Sequence, residues 1–175
     1  MLTGDLVQLR PVRVEDLPTL YDLSADLDTW EERNPDPARP VTREEFDEKV
    51  ARRRGATDQV EFAVTAEDQL VGRCTLMRED TLARHAEVGI GLTAHAVGKG
   101  YGTDALRVLV RYAFTRRNLR RLHLVVVASN ERAIASYRKV GFVEEGRRRE
   151  HCWVRGAYED EVIMGLLRSE WLSPG

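Results

Sequence analysis

Six consecutive residues, Leu122-His123-Leu124-Val125-Val126-Val127, are apolar but for one histidine. A run so nearly continuous reads as a strand covered on both faces, because a half-exposed strand would alternate. Upstream, Ala105, Leu106, Leu109, Val110, Ala113 and Phe114 form one apolar stripe on a helix predicted from about Gly100 to Arg116. Before that helix, Glu87 to Leu92 reads as a strand that sets Ala86, Val88, Ile90 and Leu92 on one face. Strand, helix and buried strand make a βαβ unit, so the two strands should be parallel with a right-handed crossover. This unit commits the chain to an α/β sandwich built on a mixed sheet.

The flanking segments extend that plan. Val7-Gln8-Leu9-Arg10 is a short strand, followed by a helix from about Val14 to Ala25 with Leu17, Leu20, Tyr21 and Ser24 on one face. Asn34 to Pro40 holds three prolines and reads as an irregular link. A second helix opens at Thr42, with Glu45 in capping-box spacing. Val60 to Val64 alternates, Glu67-Asp68-Gln69 turns the chain, and Leu70 to Met77 returns as its partner strand. A third helix spans about Glu131 to Val140 and stops at Gly141, and Phe142 to Leu167 makes two strands turned near Arg155-Gly156. At 175 residues this is one domain, 1–175, with its core at about 6–168.

The balance of 27 Lys+Arg against 29 Asp+Glu gives no field that would draw the chain to nucleic acid or membrane. Arg147-Arg148-Arg149 alternates faces on a strand and reads as a solvated edge. No apolar run approaches the ~20 residues that span a bilayer, and Met1 to Asp5 does not read as a signal peptide, so a cytoplasmic location is expected. Cys74, Cys152 and the four histidines show no ligand spacing, so no metal is expected and both cysteines read as structural.

Two features carry chemistry. Gly98-Lys99-Gly100-Tyr101-Gly102-Thr103 joins a strand to a helix, where glycines let backbone N–H groups approach an anion and the helix N-terminus adds about half a positive charge. A plain tight turn would explain such a loop equally well. It is not a Walker A loop, which needs Gly-Lys-Ser/Thr, nor a dinucleotide fingerprint, which needs glycine where Thr103 stands. The second feature is Glu87, which shares a strand face with Gly89 and Gly91, so that something is expected to approach that face closely.

The glycine loop resembles the acyl-CoA loop of the GNAT superfamily, Arg/Gln-x-x-Gly-x-Gly/Ala. Asn130-Glu131-Arg132-Ala133 through Tyr137 to Gly141-Phe142 resembles that family's Asn-x-x-Ala-x-x-x-Tyr-x-x-x-Gly-Phe segment. The resemblance runs from Leu6 to Leu167, including Leu9-Arg10-Pro11, Asp16-Leu17 and Glu144-Glu145-Gly146. It is nearest to ribosomal-protein N-terminal alanine acetyltransferases and spermidine acetyltransferases. One position departs: Val97 stands where the motif opens with Arg or Gln, and Lys99 is the charge at hand.

The resemblance implies a single-domain GNAT-like fold, a mixed central sheet flanked by helices, with acyl-CoA held in the βαβ unit. It implies an N-acyltransferase moving acetyl from acetyl-CoA directly onto a primary amine, either a peptide or protein N-terminus or a small amine. Succinyl or another acyl group is an alternative donor group, and a non-catalytic acyl-CoA-binding regulator is the rival reading. Val97, Gly98, Lys99, Gly100, Tyr101, Gly102 and Thr103 would hold the pyrophosphate. Leu92 and Thr93 would offer backbone N–H groups to the thioester carbonyl and the pantetheine arm, and Asn130 would hold the same arm. A lysine-like amine titrates near ~10.4, so about one in a thousand is free base at neutral pH and a base helps. Glu87 is the first candidate for that base, with His85, His123 and Glu150 in reserve, the alternative being a strand carboxylate paired with an arginine; Tyr137 is the expected proton donor to the departing thiolate, the alternative being an aromatic packing residue. Carboxylates at Asp22, Asp26, Asp28, Glu31 and Glu32, beside Trp30, would suit a cationic acceptor, and a solvated acidic helix end explains them equally well. A homodimer is the family expectation.

Overall fold

A computed structural model describes residues 1–27, 30 and 38–172. Eight strands form one sheet: β1 Leu2–Thr3, β2 Gln8–Pro11, β3 Val60–Ala66, β4 Gln69–Asp80, β5 His85–Leu92, β6 Arg121–Val127, β7 Val143–Val154 and β8 Ala157–Leu167. Their order across the sheet is β1-β2-β3-β4-β5-β6-β8-β7. The helices are α1 Leu17–Ala25, α2 Arg43–Arg54, α3 Tyr101–Thr115, α4 Glu131–Val140 and α5 Arg168–Leu172. The expected βαβ unit is present, with β5 and β6 the parallel pair and α3 the crossover. The other neighbouring strands run antiparallel.

The alternation along the strands assigns the two faces of the sheet. Val64, Cys74, Leu76, Ala86, Val88, Leu122, Leu124, Val162 and Met164 share one buried core with Ala105, Leu106, Leu109, Val110, Ala113 and Phe114 of α3. Phe62 stacks edge-on against Tyr112 of α3, its centroid 5.1 Å away. On the opposite face Arg73, Thr75, Met77, Glu87 and His123 follow one another across β4, β5 and β6. There α2 is tied to the sheet by Arg53, which shares Glu61 with Arg73 at 3.0 and 3.1 Å.

Local chemistry fixes the helix ends. Thr42 and Glu45 form the expected capping box of α2. Gly141 ends α4 at φ 108°, a left-handed geometry that glycine adopts without strain. The predicted first helix divides: Val14–Asp16 is a 3-10 turn, and the α-helix begins at Leu17 with Pro18 in its first turn. Two short elements, β1 and α5, fall in segments without enough periodicity to declare them. The irregular link predicted at Asn34–Pro40 lies outside the described residues as far as Pro37.

Two carboxylates brace this frame. Asp104, buried in the first turn of α3, accepts from the N–H groups of Asp5 (3.2 Å), Leu6 (2.7 Å) and Val7 (2.9 Å). A side chain at Gly4 would collide with the same carboxylate, so glycine is required there by space. Asp16, 5% exposed, takes a bidentate bond from Arg10 at 2.7 and 2.8 Å and a third from the Arg13 N–H at 2.7 Å. Those partners, Arg10 first, hold its carboxyl below the ordinary range despite burial.

Candidate active site

The parallel strands β5 and β6 pair only at His85–Arg121, Ala86–Leu122 and Glu87–His123. Beyond that rung β5 continues to Leu92 and β6 to Val127 without pairing, so the sheet parts into a wedge. A cavity of about 400 Å³ occupies it, walled by Ile90, Gly91 and Leu92 on one side and Val125 and Val126 on the other. Its end is closed by the glycine loop and the start of α3, and its flank by α4.

The glycine loop is more than a tight turn. Gly98 and Gly100 take φ of 82° and 83°, left-handed values that a residue with a Cβ resists, and Gly100 is the N-cap of α3. The first N–H groups of α3, which lack intrahelical partners as a rule, therefore end at the cavity. Gly102 has a different reason: a Cβ there would lie 3.3 Å from Leu92 Cδ1, on the wall itself.

Of the residues proposed from sequence, Leu92, Val97, Gly98, Gly100, Gly102, Thr103, Asn130 and Tyr137 line the cavity. Lys99 is exposed and off the wall, while Tyr101 packs against the core. Thr93 does not serve as expected: its N–H (3.0 Å) and its hydroxyl (3.1 Å) both donate to the Val71 carbonyl. Its backbone donor is thus spent in closing the end of β5. Asn130 caps α4 by accepting from the Ala133 N–H at 3.1 Å, which fixes the helix N-terminus beside the cavity.

Sequence reasoning missed two cations on this wall, Arg132 and Lys139. They flank Ser136 at intervals of four and three residues, so helical periodicity could have placed all three on one face of α4. They supply positive charge beside a loop whose usual leading Arg or Gln is Val97. The residues fit an anionic, phosphate-bearing donor: positive-φ glycines, a helix N-terminus and two cations converge on one apolar slot.

Tyr137 is 7% exposed, edge-on to Phe142, and burial pushes its phenol up to about 12. Glu87 sits at the apex of the wedge, not on the cavity wall, and accepts from Arg78 at 2.5 Å. Part of the close approach expected over its face comes from within the protein, since a Cβ on Gly89 would lie 2.6 Å from Met77 Cε and Thr75 Oγ1. Gly91, by contrast, faces the cavity. Beside Glu87 lie His123 and His85, whose rings meet edge-on at 5.3 Å. Glu150 is elsewhere, beside the bulge of β7, where its N–H donates to Asp160.

Cys74 and Cys152 are buried and unbridged, and burial raises both thiols. Neither lines the cavity. Arg147 and Arg148 of the arginine run are paired with Glu144 and Glu161. Asp28, Glu31 and Glu32 lie outside the described residues. A second cavity, about 260 Å³, reaches Trp30 between α1 and α2, and its described wall includes Arg39, Lys49, Arg52, Arg53 and Arg73 against Glu45 and Glu48. Asp22 and Asp26, the described members of the acidic group expected beside Trp30, are not on that wall. No described helix is long and apolar enough to cross a membrane.

The Acetyltransferase (GNAT) domain family matches residues 7–143. The spermidine N(1)-acetyltransferase of Escherichia coli (strain K12) is 30% identical over 178 residues, covering 99% of this chain and 92% of that one. The putative ribosomal N-acetyltransferase YdaF of Bacillus subtilis (strain 168) is 34% identical over 112 residues, 64% of this chain and 61% of that protein. Among solved structures, the spermidine N-acetyltransferase from Vibrio cholerae in complex with CoA and spermine superposes with a TM-score of 0.89 at 25% identity. That superposition covers 97% of this chain and all of the other.

Proposed function

Because the chain belongs to the Acetyltransferase (GNAT) domain family, we propose that it acetylates a small primary amine from acetyl-CoA bound in the wedge between β5 and β6. The observation that carries this reading is the wedge itself, which parts a parallel strand pair beside a glycine loop and a helix N-terminus. The likeness along nearly the whole chain to the spermidine acetyltransferases of Escherichia coli and Vibrio cholerae supports a polyamine-like acceptor for this chain.

Acetyl-CoA supplies the thioester and, on reaction, the leaving thiolate. Positive-φ Gly98 and Gly100 hold the loop that receives the pyrophosphate, and Arg132 and Lys139 add charge beside it. With Thr93 engaged by Val71, the N–H groups for the thioester carbonyl come from the inner edge of β5 between the apex and Leu92. An ammonium acceptor sheds one proton to bulk by way of the polar apex around Glu87. The second N–H proton, released as the C–N bond forms and the C–S bond breaks, ends on sulfur. Tyr137, protonated throughout the working range, hydrogen-bonds that sulfur as its charge develops. Transfer is direct, since both thiols are buried and held protonated.

The test is release of free CoA thiol from acetyl-CoA with spermidine, an Ala-starting peptide, a Ser-starting peptide and an aminoglycoside. Turnover of spermidine above the two peptides is expected. Failure of all four, with acylation of a hydroxyl or hydroxylamine instead, overturns the amine reading.

A further inference from the structure

We propose that the proton leaving the amine is taken up by the imidazole of His123, with Glu87 a positioning residue that acts through this ring. The inference rests on the amine-acetylation reading above and specifies the group that makes it work.

His123 stands opposite Glu87 in the last paired rung of β5 and β6, so its ring lies at the point where the wedge begins. On its other side β8 offers Gly165, and the space a side chain would take there is filled by the carboxylate of Glu145. The imidazole is thus flanked by a carboxylate from each neighbouring direction. Each carboxylate has its own arginine: Arg78 bonds Glu87 at 2.5 Å, and Arg121 bonds Glu145 twice at 2.5 Å. Carboxylates already engaged by guanidinium groups can hold a cationic ring in place while remaining charged themselves.

The ring is also in the right state. Burial lowers the His123 pKa below its ordinary value, the charge of Glu87 opposes that shift, His85 and Arg121 add to it, and Glu145 opposes it. His123 is therefore neutral at neutral pH, with a lone pair to accept a proton. An imidazole is also an intrinsically stronger base than a carboxylate, by roughly two pK units. Once protonated, the ring lies between the two negative charges that favour its cationic form.

His85 completes the cluster. Its Nδ1 is buried and has no hydrogen-bond partner among the described residues, the one such side-chain atom found there. A buried ring nitrogen left without a protein partner in this histidine pair can exchange hydrogen bonds with a solvent molecule, and such a molecule can carry a proton between amine and ring. The step balances simply: R–NH3+ and neutral His123 give R–NH2 and imidazolium, which then releases its proton to bulk water.

Two readouts test the assignment. In the first, the His123 ring is titrated by NMR in the acetyl-CoA complex of the wild type and of Glu87→Gln. Its pKa should lie below 6.5 in the wild type and fall further in the variant, because a favourable charge has been removed. In the second, CoA release is followed against pH with spermidine in the wild type and in His123→Gln. The variant should lose 10- to 1,000-fold in kcat, lose the acidic limb of the kcat profile, and keep acetyl-CoA affinity within about threefold of wild type. A retained acidic limb, a kcat within twofold of wild type, or a ring that titrates above 7 overturns the proposal. If the wild type acetylates none of the four amines, the amine reading fails alone, and the NMR titration still decides whether His123 is the neutral acceptor.

Discussion

Glu87 and His123 face each other across the last rung that joins β5 to β6, and the cavity opens directly beyond them. The strand pair therefore separates at the place where a carboxylate and an imidazole stand side by side. Glu87→Gln should lower kcat by roughly 10- to 100-fold, with acetyl-CoA affinity by calorimetry nearly unchanged, because Glu87 is not on the cavity wall. A comparable loss in acetyl-CoA affinity would place Glu87 in donor binding instead.

Tyr137 makes a separate prediction on the sulfur side. With its phenol raised to about 12 by burial, it stays protonated across the working range and contributes no basic limb to the pH–rate profile. Tyr137→Phe should slow turnover by about 10- to 1,000-fold if chemistry limits and leave the shape of that profile unaltered. A basic limb that vanishes in the variant would contradict the burial of the hydroxyl.

The glycine loop predicts a change in binding rather than in chemistry. Gly100→Val places a β-branched residue at φ 83° and sets its Cβ against Leu6. Acetyl-CoA affinity should fall at least tenfold, about 1.4 kcal/mol. Unchanged affinity in a folded variant would remove the loop from the donor site.

Asp16 links stability to acid. Its folded pKa is depressed chiefly by Arg10, so its contribution is complete above the unfolded carboxyl value of 3.8 and is lost as pH falls through the lower, folded one. Asp16→Asn should cost about 1.5–3 kcal/mol at pH 7, measured by urea unfolding. Its stability should then decline less steeply than that of the wild type below about pH 4.

The cysteines provide a negative test of mechanism. Both thiols are buried and off the cavity wall, so Cys74→Ala with Cys152→Ala should retain kcat within about twofold, with some loss of thermal stability from the Cys74 cavity. Loss of turnover with preserved fold would revive an acyl-enzyme.

Much of this arrangement is legible in the letters. The apolar run 122–127, which alternates in burial because His123 and Val125 are only partly covered, the stripe on α3 and the two motif segments specify the βαβ unit, and the cavity wall holds seven of the ten residues expected to bind the donor, all but Thr93, Lys99 and Tyr101, together with Tyr137. Thr93 failed because a one-dimensional reading cannot tell which backbone N–H a neighbouring strand has already taken. The neighbours of Glu87 and of His123 were hidden for a related reason. Arg78 comes from β4 and Glu145 from β7, and their approach depends on bulges at Met77–Asp80 and Glu144–Gly146 that local propensity does not encode. Arg132 and Lys139 were visible by helical spacing but had no motif letter to single them out.

Parting β5 from β6 has a cost outside catalysis. The walls of the wedge are two strand edges inside a sheet, with backbone groups left open beyond the Glu87–His123 rung. Open edges template pairing with other chains, which is why most sheets charge, bulge or cover them. A donor seated in that slot would cover these edges, and so would stabilise the folded protein while it supplies the substrate.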